Sequence, residues 1–194
     1  MKKKIFAAAI AVICLAVMTS STLAYFTTSG IARNVITSDG IDIELVEQQL
    51  VGGQLSQYPD DEVMVMPGKT VSKIVSVNNL EREAWIRVGY TVVFKDANGT
   101  ELALSQDEVN ALISINSDTE NWTEQDGWWY YNSPVDVDES TTALFSEVKF
   151  SGPNMGNEYQ QCSAVIKVTA QAVQTIHNGD TVLEAAGWPE PEQN

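Results

Sequence analysis

The sequence predicts an all-β fold, an antiparallel β-sandwich with one or two short helices inserted, behind an N-terminal signal-peptide helix. Three observations carry that expectation. Apolar and polar residues alternate with period two over long runs, turn signals separate the runs, and no long helical segments are interleaved with them.

In chain order, the signal comes first. Lys2, Lys3 and Lys4 form a basic start, Ile5 to Met18 an apolar run of fourteen residues, and Thr22-Leu23-Ala24 a small-residue end. That is the pattern of an export signal cut after Ala24 to free Tyr25. The apolar run is shorter than the roughly 20 residues of a spanning helix, and no charged stop-transfer cluster follows it, which argues against a retained anchor. The expectation is a chain secreted to the extracellular matrix or cell surface, touching a membrane only through the signal before cleavage. Residues 25–40 read as an extended segment, 41–188 as a single sandwich domain and 189–194 as a frayed tail.

Within the domain, Ala84, Ile86, Val88, Tyr90, Val92 and Phe94 form one apolar stripe, with Arg87, Thr91 and Lys95 opposite. Cys162 to Ala172 repeats the pattern, apolar at even positions. Shorter strands are expected over Ile41 to Val46, Thr70 to Asn78, Trp128 to Asn132 and Thr142 to Phe150, separated by turns such as Pro67-Gly68 and Asp126-Gly127. Ser105-Gln106-Asp107-Glu108 reads as a capping box opening a helix to about Ile113, and Asp180 as the cap of a short helix through Ala186.

The net charge is −15, and loss of the three signal lysines leaves −18 on the 170 residues that follow Ala24. Such a charge argues against nucleic acid and anionic lipid as partners, because both attract basic patches. Cys14 lies in the signal, so Cys162 is left alone and no intramolecular disulfide can form after cleavage; its apolar alternate neighbours mark it as a buried thiol.

Little in the sequence points to catalysis. His177 is the only histidine and sits in a turn sequence, so neither a catalytic triad nor a two-histidine zinc site can be assembled as usually built. Asp60-Asp61-Glu62 and Asp136, Asp138, Glu139 are acidic clusters able to offer hard oxygen ligands to a structural calcium, or to be solvated turns. No other cofactor is indicated. Asn98-Gly99-Thr100 and Asn121-Trp122-Thr123 match a glycosylation sequon. Trp128, Trp129, Tyr130 and Tyr131 alternate between two faces of a strand, so one Trp/Tyr pair is expected in the core and the other outward, available to a partner chain or a polysaccharide.

The stretches "TLAYFTTSG", "NVITSDGIDIEL", "MPGKTVSKIVSVNNLEREAWIRV", "WWYYNSPV", "TTALFSEVKFSG" and "VTAQAVQ", spread over nearly the whole chain, resemble the TasA/camelysin family of exported Gram-positive proteins. The resemblance implies a jelly-roll-like sandwich, processing by a SipW-type signal peptidase, and assembly as a homopolymer into biofilm matrix fibres beside other matrix proteins. It also implies that the freed N-terminus acts as a donor strand inserted into the next subunit. Here that segment would use Tyr25, Phe26, Ile31, Val35 and Ile36, apolar residues in a threonine-rich stretch prone to extension. Camelysin members are also described as casein-cleaving metalloproteases. This sequence departs from that activity in having no HExxH and a single histidine, so the expectation is a non-enzyme.

Overall fold

A computed structural model describes residues 34–37, 40–58, 62–159 and 161–189. The chain divides into Met1–Ala32 and Arg33–Asn194, and the fold below is that of the second unit.

The two long stripes become the two central strands of one sheet. Ala84–Lys95 (β6) and Ser163–Gln174 (β11) pair antiparallel without a break from Ala84↔Gln174 to Lys95↔Ser163. Even positions of both face inward, and Ile86, Val88, Ala164, Ile166, Ala170 and Ala172 are fully buried. Trp128–Tyr131 (β9) pairs with β6, and Trp122–Gln125 (β8) completes that side. On the opposite edge of β11 lie two short strands, Asn34–Thr37 (β1) and Glu62–Met64 (β4).

The second sheet runs Gln54–Gln57 (β3), Ile43–Val51 (β2), Thr70–Asn79 (β5), Phe145–Phe150 (β10) and Ile113–Ile115 (β7), all antiparallel. Its inward residues, among them Leu45, Val75, Val77, Phe145, Val148 and Phe150, meet those of the first sheet in one core. Tyr90 and Phe145 join the two sheets edge to face at 5.4 Å. The fold is therefore the expected all-β sandwich, with antiparallel pairing among the described residues except for β1 on β11.

The expected helix forms over Gln106–Leu112 (α1). Ser105 Oγ accepts from the Glu108 amide while the Glu108 carboxylate accepts from the Ser105 amide, and Val109 and Leu112 point into the core. The second expected helix does not form. Residues from Thr181 to Ala185 make a turn with only two backbone bonds, because Glu184 returns its carboxylate to the Asp180 amide and Asn178 captures the backbone of Ala186. Thr142 to Leu144 likewise stay outside β10, whose pairing with β5 shifts register between Phe145 and Glu147.

One polar pair lies inside the apolar layer. Lys73 stands on the inward face of β5 in line with Val75 and Val77, wholly buried, with its ammonium 2.7 Å from Glu47 Oε1 on β2 and 4.1 Å from the centre of the Tyr58 ring.

Candidate functional site

The expected donor segment falls partly within the described residues. Asn34–Thr37 is a strand, parallel to β11 in the register Asn34↔Thr169 to Thr37↔Ala172. Val35 is half-buried and packs on the main core. Ile36 lies on the same strand, in register with Gln171. Ala24, Tyr25, Phe26 and Ile31, and with them the cleavage site, lie outside the described residues. Further along the same edge, β4 pairs with Ser163 to Val165, which leaves Ile166 to Val168 between the two docked strands.

The four aromatics of β9 divide by alternation. Trp129 and Tyr131 pack on the main core, where Tyr131 meets Trp122 at 5.0 Å. Trp128 and Tyr130 face outward, positioned by a two-residue turn at Asp126 (φ 53°) and Gly127 (φ 79°) that aligns β8 with β9. The outward pair is not open surface, because the chain's own C-terminal segment covers it. Trp85, Tyr130, Val173 and Val182 form a second, smaller apolar cluster on the outer face of the sheet, with Trp128, Ala185 and Trp188 packed at its margin.

Arg87 organises that cluster. Its Nε and Nη2 donate to Gln171 Oε1 at 2.9 and 2.7 Å, and its Nη1 donates to the Tyr130 hydroxyl at 3.1 Å. The guanidinium lies 4.3 Å from the Trp128 ring and 4.6 Å from the Trp188 ring. Trp128 in turn lies over Gly89, so close that a Cβ there would sit 3.1 Å from the indole. The covering segment is stapled by Asn178, whose amide donates to the carbonyls of Gln174 and Ala186 and accepts from the Ala186 amide, while the Trp85 indole donates to the Asn178 carbonyl. The segment to Trp188 thus packs on the sheet. Trp85 lies on the polar side of the long stripe and was not singled out from the sequence; Asn178, Val173 and Val182, which it meets, lie about ninety residues away.

Asp136, Asp138 and Glu139 sit in an exposed loop whose backbone docks on Asn79: the Asp138 amide donates to the Asn79 carbonyl, and the Asn79 amide to the Glu139 carbonyl. Among the described residues no three acidic, histidine or cysteine side chains converge as a ligand set. Asp60 and Asp61 lie outside the described residues. Cys162 is buried, its thiol pKa pushed up first by burial and then by the charge of Asp96, which disfavours the reactive thiolate. His177 is exposed in the turn after β11 with a left-handed backbone (φ 55°).

Comparison with family models, with characterised proteins and with solved structures returned no match.

Proposed function

We propose that this chain is an exported, non-enzymatic structural subunit, a jelly-roll-like sandwich that polymerises head to tail into extracellular matrix fibres by exchanging its N-terminal strand. The observation that supports the reading is β1. It is a four-residue parallel strand on an exposed sheet edge, where each ladder hydrogen bond contributes about 1 kcal/mol net. The contacts it makes within one chain are remade when the same segment of a neighbour takes its place, so exchange costs little. A neighbour's segment longer than four residues would run on past Thr169 along Ile166 to Val168, which on that side pair with no strand among the described residues. The nine residues from Tyr25 to Arg33 supply that length once a SipW-type peptidase has cut after Ala24.

Electron microscopy of protein beginning at Tyr25, beside protein that keeps residues 1–24 as a blocked end, tests the reading. Fibres are expected only from the cleaved form, and Val35→Asp is expected to abolish them while leaving the circular dichroism of the sandwich intact. Fibres from a chain lacking Tyr25 to Asn34 would overturn the mechanism.

A further inference from the structure

The β2–β3 hairpin carries an unusual surface for so acidic a chain. Between Glu47, which is buried against Lys73, and Asp60 no residue is charged. The hairpin turns at Gly52 (φ 60°) and Gly53 (φ 82°), a backbone that only glycine adopts without strain at both positions. Leu50 and Leu55 stand opposite each other on its outer face, 53% and 59% exposed, and Val51 is 57% exposed at the tip. β3 is the terminal strand of its sheet, and its outer edge pairs with no strand among the described residues. Natural edge strands are normally blunted by charge, proline or a bulge, and β3, with the sequence Gln-Leu-Ser-Gln, has none of these.

We propose that this edge is a self-association site, where the β3 strand of one copy pairs antiparallel with β3 of a second copy about a twofold axis. Charge selects the occupant. Two copies carrying −15 or more repel over most of their surface, and the uncharged hairpin is where a second copy approaches without setting carboxylate against carboxylate. Geometry fits as well. In a two-residue hairpin, Val51 and Gln54 close the turn with hydrogen bonds, and bonded and non-bonded pairs then alternate. The amide and carbonyl of Leu55 therefore point away from β2, toward the free edge. Pairing Leu55 with its counterpart joins the two leucine pairs into one apolar row across the junction. A four-residue ladder is weak alone, but repeated along a polymer it multiplies into lateral bundling. That consequence rests on the fibre reading; the pairing itself does not.

Sedimentation velocity of the chain beginning at Tyr25, over a range of protein and salt concentration, is the test. The expected result is a reversible association that tightens as salt rises from 0.02 to 0.5 M by about tenfold, because screening weakens the repulsion between like-charged copies. Leu55→Lys is expected to weaken association at least tenfold with an unchanged melting temperature, whereas Leu55→Thr keeps the edge neutral and retains it. If fibres form, Leu55→Lys leaves single fibres and removes their bundles. Absence of fibres from the unsubstituted chain beginning at Tyr25, with the salt-dependent association intact, overturns strand exchange and not this proposal. Association insensitive to Leu55→Lys, or none at millimolar concentration, overturns the pairing.

Discussion

The ring of Trp188 lies 4.6 Å from the guanidinium of Arg87 and meets Tyr130 edge-on at 5.7 Å. This contact closes the end of the C-terminal segment over the sheet. Gly187 before it has a left-handed backbone (φ 76°), and the indole itself bonds only to the nearby Ala185 carbonyl. Trp188→Ala should therefore cost about 1–2 kcal/mol, the worth of a part-exposed aromatic and cation–π contact, and should raise amide exchange in the segment after Asn178 but not in β6 or β11. Urea denaturation and hydrogen exchange on the variant measure the two effects.

The Lys73–Glu47 pair yields a sharper expectation. Removing one partner leaves the other charge in an apolar layer, so Lys73→Met or Glu47→Leu alone should cost about 3–5 kcal/mol, whereas the double variant should recover most of that loss. A double-mutant cycle in urea, with unchanged slope, checks it. If the two costs simply add, the pair is not coupled as its 2.7 Å contact requires.

Much of the fold was legible in the sequence because one-sided burial writes period two into a strand. The stripe from Ala84 to Phe94 kept its face, and the Ser105 cap formed as spelled. β3 and β4 were not legible, since an edge strand of three or four residues is too short to show an alternation. β8 had a signal, the Asp126-Gly127 turn, but only one of its two flanking strands was recognised. Lys73 in a core column was invisible because its partner is 26 residues away in sequence and adjacent only through β2–β5 register. At the aromatic site, alternation told that one Trp/Tyr pair faces outward but not which; that it is Trp128 and Tyr130, and that Trp188 returns to cover them, depends on long-range contacts no local pattern contains.

Acid should weaken the fold through three carboxylates in turns. Asp118 is held below the usual range chiefly by the Asn121 side chain, Asp96 by the amides of Thr100 and Asn98, and Glu108 by the Ser105 hydroxyl and amide. A carboxylate whose folded pKa is depressed stabilises the protein above its unfolded pKa, and that contribution is lost as pH falls through the folded value. Stability should thus be level near neutrality and decline below about pH 4.5, where such groups begin to bind protons in the unfolded chain. Asp118→Asn should be less stable than the parent at pH 7 and match it more closely at pH 3. A difference that stays constant between the two, measured by thermal melts across pH, would refute the assignment.

Gly89 and Trp128 give a reversal of sign. Glycine inside a strand ordinarily destabilises by about 0.5–1 kcal/mol relative to alanine, so Gly→Ala in β6 would be expected to help. Here the added methyl meets the Trp128 indole at 3.1 Å, and the ring cannot lift away without disturbing its contact with Arg87, which is itself fixed by Gln171 and Tyr130. Gly89→Ala should therefore destabilise by about 1–2 kcal/mol, in the range of overpacking substitutions. Once the ring is gone the ordinary preference returns, and Gly89→Ala made in a Trp128→Ala background should stabilise by about 0.5 kcal/mol. Chemical denaturation of the four proteins in the cycle reads both signs. If Gly89→Ala destabilises equally in both backgrounds, the indole is not what holds position 89 to glycine.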